Sequence, residues 1–187
     1  EHEMYGEARL NIGSALPFRD GKGSTWEGGV RVPGVFWWPG VIAPATVVRE
    51  PACTFDVLPT VFAYAEVPIP TGRSLDGRDI RHYFNRAFYS EKVDDFRFIY
   101  TGAPRNEVYG VRLGPWKAHV RLYSQTKSDY GFQANREKPL LFQLEHDPSE
   151  RFDRANERPD MIETLMGEID HFESHLSSEG TFWQERH

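Results

Sequence analysis

The sequence has little cysteine: Cys53 stands alone among 187 residues, so no disulfide can close within the chain. It has no excess of basic residues, since 22 Lys and Arg face 28 Asp and Glu for a net charge of -6. A nucleic-acid partner is therefore not expected, because binding a phosphate backbone requires a basic surface. No apolar run approaches the ~20 residues that cross a bilayer, so no membrane span is expected. A leading Met and a secretory signal are also missing; the chain opens on Glu1-His2-Glu3, as a fragment or a processed product would. Repeats and low-complexity segments are absent. What is plentiful is core-forming material: 39% hydrophobic and 14% aromatic residues. That supports one domain, or a large piece of one.

Residues 1 to about 29 are polar and glycine-rich and predict loop. Val30–Trp38 (VRVPGVFWW) is β-branched and aromatic and predicts a short buried strand, stopped by Pro39-Gly40. A helix is expected from Thr54 as N-cap, with Leu58, Val61, Phe62 and Ala65 on its inward face and Pro59 near its first turn. Ile80–Phe84 predicts a brief helix, Arg97–Tyr100 a strand and Leu140–Leu144 another. From Pro159 to Leu176 a long helix is expected, with Ile162, Leu165, Ile169, Phe172 and Leu176 on one stripe.

Val108–Tyr123 predicts a hairpin around Gly114-Pro115. With those two as the loop, Leu113 faces Trp116, Val111 faces Ala118 and Tyr109 faces Val120 on an apolar side. The other side then carries Arg112 opposite Lys117 and Gly110 opposite His119, with Arg121 beyond. That side is expected to be an open basic stripe with a gap at Gly110, while Trp116 and Ala118 face the core. Strands followed by one amphipathic helix make an α+β unit.

Five stretches together carry a resemblance. GKGSTWEGGVRVP (Gly21–Pro33) is similar to the G-K-G-T-x-aromatic-E-G-G-x-R-x-P segment of formylglycine-dependent sulfatases. FDVLPT (Phe55–Thr60) resembles their D-L-L-P-T helix, and SLDGRDI (Ser74–Ile80) their L-D-G-x-D-L segment. GPWKAHV (Gly114–Val120) and LLFQLEHDPSE (Leu140–Glu150) resemble two later segments, and all five stand in family order. The branch most resembled is that of arylsulfatase A and N-acetylgalactosamine-6-sulfatase. The fold implied is α/β. Residues 1–88 would form the end of an alkaline-phosphatase-like sulfatase catalytic domain, and residues 89–187 a small α+β C-terminal domain with an antiparallel sheet and one long helix.

The same resemblance implies a sulfuric ester hydrolase in which calcium and a formylglycine made from C-x-P-S-R do the chemistry. Cys53 lies in A-C-T-F-D and is not that residue, and the family's calcium ligands would lie upstream of residue 1. Lys22 corresponds to the family's sulfate-binding lysine and is the expected catalytic and substrate-binding residue. A lysine on a glycine-rich loop supplies a point charge without crowding an anion. His119 and Lys117 are expected to contact substrate beside it, with Arg112 a weaker candidate. Glu27 is expected to accept hydrogen bonds from loop amides or from Arg31, and Trp26 and Trp37 to pack. His171 and His175 have zinc-like spacing but lack the H-E-x-x-H order, and predict helix surface. No metal site is expected in the chain. The substrate would be a sulfated small molecule or glycan, and the location extracytoplasmic, by resemblance alone. Two rival readings are a phosphatase or phosphonate hydrolase of the same superfamily, and a non-catalytic module that binds sulfated glycans.

Overall fold

The computed structural model describes residues 14–70, 72, 75–85, 96–102, 107–124 and 132–179. Glu1-His2-Glu3, Ser74 and the boundary expected near residue 88 lie outside them. The chain divides into two compact units, one of Glu1–Val32 with Asp95–His187 and the other Pro33–Asp94. The glycine-rich loop thus belongs to the same unit as the C-terminal sheet.

In that first unit, strands β1 (Arg97–Gly102), β2 (Glu107–Leu113), β3 (Trp116–His119) and β4 (Leu140–Gln143) form an antiparallel meander in sequence order. The β2–β3 turn is Gly114-Pro115, and Leu113 pairs Trp116, Arg112 pairs Lys117, Val111 pairs Ala118 and Gly110 pairs His119. This is the register the alternation predicted. Helix α4 (Pro159–Glu179) closes one sheet face. There Leu165 and Ile169 are fully buried against Val111, Ala118, Val120 and Leu141, with Ile162 and Phe172 partly buried beside them. Leu176, expected on the same stripe, is exposed.

The opposite sheet face is not open. The loop before α1 (Glu27–Val30) lies over it, and Trp26 packs with Leu140, Phe142 and Leu144 into a second cluster. Period-two alternation therefore sends both faces of β3 into the interior, toward α4 on one side and the loop on the other. Trp116, expected in the core, is only half-buried, with the Arg158 guanidinium 5.0 Å above its ring.

The second unit corrects two expectations. Val30–Trp38 contributes one residue to α1 and no strand; Val32, Val35 and Trp37 are exposed. A strand needs a partner for its backbone groups, and among the described residues this segment pairs with none. Helix α2 (Val57–Tyr64) follows a 3-10 turn at Thr54–Asp56 whose N-cap is Cys53, not Thr54. Its buried positions are Pro59 and Thr60, whereas Leu58 and Val61 face outward. The inward face is set by a polar hub. The buried Asp56 carboxylate accepts the backbone N–H of Cys53 at 2.8 Å and of Arg78 at 2.9 Å. Thr60 Oγ1 accepts Ile80 N–H at 3.0 Å just before α3 (Arg81–Phe84).

Candidate functional site

The loop that carries Lys22 is folded tightly on itself. A Cβ on Gly28 would lie 2.3 Å from the Arg19 carbonyl oxygen, and one on Gly29 2.3 Å from that of Ser24. No side chain fits at either position, which explains the paired glycines after Glu27. Gly28 N–H donates to Arg19 O at 2.8 Å and closes the loop. Lys22 stands exposed on the bend between these stems.

Both stems are tied to the sheet unit. Ser24 bridges Ser124, Thr25 N–H donates to Tyr123 O at 3.2 Å, and Ser124 Oγ donates to Asp20 Oδ2 at 2.5 Å. Trp26 lies with its ring centroid 4.6 Å from that of His119, and the Arg19 guanidinium covers it at 4.4 Å.

Beneath Trp26 lies a buried charge cluster. Lys117 Nζ donates to Thr25 O at 2.8 Å and to Glu27 Oε1 at 2.9 Å, and sits 3.1 Å from Glu150 Oε1. His119 Nε2 donates to Glu150 Oε1 at 2.7 Å, and Glu150 Oε2 accepts the Glu27 backbone N–H at 2.6 Å. Arg112 and Arg31 approach the second Glu27 oxygen at 3.5 and 3.3 Å. Lys117, His119 and Glu150 are each 0% exposed. Burial opposes charge on Glu150, but the Lys117 ammonium, the His119 hydrogen bond and the Glu27 N–H outweigh it and hold the carboxyl at about 2. Burial also disfavours charge on Lys117, yet Glu150, Tyr100 and Glu27 together raise it above its ordinary value. His119 moves down, because burial prevails over its bond to Glu150.

The sequence-predicted residues therefore separate. Lys22 is presented at the surface. Lys117 and His119 are gathered on Glu150 and enclosed, so the open basic stripe is corrected: the loop covers it. Gly110 is not a gap either, since a Cβ there would meet the Ala118 carbonyl oxygen at 2.5 Å. Arg112 is buried too, its Nε bonded to Gly114 O at 3.0 Å. Arg121, beyond the hairpin, pairs with Glu107. Glu27 forms an ion pair with Arg31 at 3.3 Å, but the hydrogen bond its carboxylate accepts is from Lys117 at 2.9 Å. Glu150 was missed. The signal for it was indirect: an ammonium pointing inward from β3, with a histidine two residues on, requires a carboxylate, and the D-P-S-E segment follows β4 closely.

No step can be routed through a metal or a formylglycine from these residues. Among the described residues no three His, Cys, Asp or Glu side chains cluster as ligands. Cys53 caps the 3-10 turn before α2, with its thiol pushed up first by burial and then by Asp56. That is the opposite of an activated sulfur. His171 and His175 stack at 6.4 Å on α4.

A four-stranded antiparallel meander with one long helix on one face and a glycine-rich, lysine-bearing loop clamped on the other defines an α+β C-terminal unit. Two family models match in sequence order: "Sulfatase" over residues 2–67 and "C-terminal region of aryl-sulfatase" over residues 92–183. The chain belongs to the sulfatase family. It is 53% identical over 156 residues to steryl-sulfatase of Rattus norvegicus, covering 74% of this chain and 27% of that protein. It is 36% identical over 162 residues to arylsulfatase A of Homo sapiens, covering 79% of this chain and 31% of that one. The fold matches that of the PsFucS1 sulfatase from Pseudoalteromonas sp. with a TM-score of 0.67 at 22% identity, over 86% of this chain and 33% of that structure. The chain thus spans under a third of the length of these two curated relatives. Among the described residues, no helix is long and apolar enough to cross a membrane.

Proposed function

We propose that this chain is part of a sulfuric ester hydrolase in which Lys22 holds the sulfate group. The carrying observation is the presentation of Lys22: an exposed lysine on a bend whose two stems are both bonded to the sheet unit. A sulfate ester keeps a negative charge on its free oxygens while its S–O bond breaks. A fixed ammonium stabilises that charge without reorganising during the reaction. The kinship with steryl-sulfatase and arylsulfatase A supports the same reading, with a sulfated small molecule or glycan as substrate and an extracytoplasmic location. Calcium and a formylglycine nucleophile belong to the proposal for the full-length enzyme, on residues other than those described.

The test is Lys22→Ala in the full-length enzyme, assayed on an aryl sulfate. Turnover is expected to fall about 10²-fold or more, as on losing one preorganised charge at an oxyanion. Turnover equal to that of the parent enzyme would leave the loop a purely structural element.

A further inference from the structure

We propose that Lys117, together with Glu150 and His119, is a positioning group for Lys22, and that its route is the backbone of the glycine-rich loop. The proposal rests on the reading of Lys22 as the sulfate-holding residue. Lys117 Nζ donates to Thr25 O at 2.8 Å and Glu27 Oε1 at 2.9 Å, and forms an ion pair with Glu150 Oε1 at 3.1 Å. The side chain is fully enclosed, so it has no face open to a ligand. Two of its partners belong to the loop, and the first, Thr25, lies three residues after Lys22. The third, Glu150, grips the loop a second time through the Glu27 N–H at 2.6 Å and is itself held by His119 Nε2 at 2.7 Å. The far stem is fixed separately, by Ser124 on Asp20. The bend bearing Lys22 is thus suspended between anchors supplied by residues about a hundred positions later in the chain. A buried salt bridge could serve stability alone. Here it ends on main-chain atoms of the loop, and this is how a distant side chain sets the location of a catalytic charge.

The experiment is a double-mutant cycle on kcat in the full-length enzyme with an aryl sulfate substrate, each variant first shown to melt cooperatively. Lys117→Met is expected to lower kcat by about 10- to 100-fold, the scale of a displacement of about 1 Å at a reacting centre. In the Lys22→Ala background the same change is expected to cost less than about 2-fold, because both act through one ammonium. Leu165→Val, which loosens the other face of the same sheet, is expected to leave kcat unchanged. If Lys117→Met does not fold, Glu150→Gln takes its place. It keeps the shape and an acceptor for the loop N–H, and the same pattern is expected with a smaller drop. A folded variant whose kcat matches the parent, or a loss that multiplies fully with that of Lys22→Ala, overturns the proposal. Parent-like turnover in Lys22→Ala alone sinks the reading of Lys22 itself. A slow Lys22→Ala beside a fast Lys117→Met sinks only the positioning role.

Discussion

Lys117 keeps its charge without solvent because the Thr25 carbonyl and two carboxylates take the place of water around it. Two carboxylates, Glu27 and Glu150, converge on it, and each would be costly if left alone. Glu150→Ala should therefore destabilise the unit by about 3–5 kcal/mol, the usual result of breaking a buried pair from one side. A urea midpoint within error of wild type would contradict this. His119→Ala, which looks harmless when the histidine is read as surface, should cost about 1–3 kcal/mol by leaving the Glu150 oxygen short of a donor. The cluster also sets a pH dependence. His119 is held below its ordinary value by burial, so the unfolded chain takes up that proton first, below about 6.5. Its contribution is present above that value and lost as pH falls. Glu150, held at about 2, contributes above its unfolded value of about 4.3 and loses this as pH drops toward 2. Both act in one direction, with Lys117, Glu27, Arg112 and Tyr100 as the surrounding polar groups. Lys117, raised from its ordinary value, acts on the alkaline side, where its share is lost above about 10.4. The melting temperature should fall from pH 7 to 4, and Glu150→Gln should flatten the lower part of that slope. A wild-type slope in the variant would place the acid-sensitive groups elsewhere.

At the level of elements, the glycine-rich loop is a close-packed turn rather than a flexible strap. Gly28→Ala would force a methyl group into the Arg19 carbonyl oxygen, and overpacking of this kind costs about 1–3 kcal/mol. Loss of protection should appear in hydrogen exchange at the Gly28 and Thr25 amides before it reaches α4. Unchanged exchange at those amides would mean that the loop has room the structure does not show. The hairpin was legible over its four pairs from Leu113–Trp116 to Gly110–His119, because Gly114-Pro115 fixes the turn and period two fixes the pairs next to it. The long helix was legible in its 3.6-residue stripe. Other features were not. The inward stripe of Lys117 and His119 looks like surface until something covers it, and the cover lies about ninety residues earlier. Conversely, Leu58 and Val61 look like core on helix α2, but the local hub is the Asp56 carboxylate. Apolar periodicity carries no information about a buried polar anchor. Family motifs marked Lys22, Glu27 and the D-P-S-E segment as notable, yet only geometry assigned Glu150 a partner.

At the scale of the whole molecule, a strongly exposed apolar segment among the described residues is one whose sequence reads as a buried strand. Val35 is 90% exposed and Trp37 85%, with Val32 and Phe36 beside them. Alternation of Val35 and Trp37 leaves both on one side of an extended backbone, which is the form of an unpaired edge. The matched steryl-sulfatase and arylsulfatase A are more than three times as long as the aligned part of this chain, 27% and 31% of them being covered. In the full-length enzyme, this segment is expected to be covered by other residues of the sulfatase domain. The 187-residue chain by itself should therefore self-associate and should hydrolyse no aryl sulfate, because C-x-P-S-R occurs nowhere in it and weak binding is all that remains without a nucleophile. Replacing Val35 and Trp37 together by Thr should shift sedimentation toward monomer while leaving the near-UV signal of the Trp26–His119 cluster in place. The same pair of changes in the full-length enzyme should lower its yield and melting temperature, since there the segment is expected to be packed. If the double variant of the short chain associates as strongly as its parent, the adhesive surface lies elsewhere. If the long enzyme tolerates both changes, residues 32–38 are a surface loop in it as well.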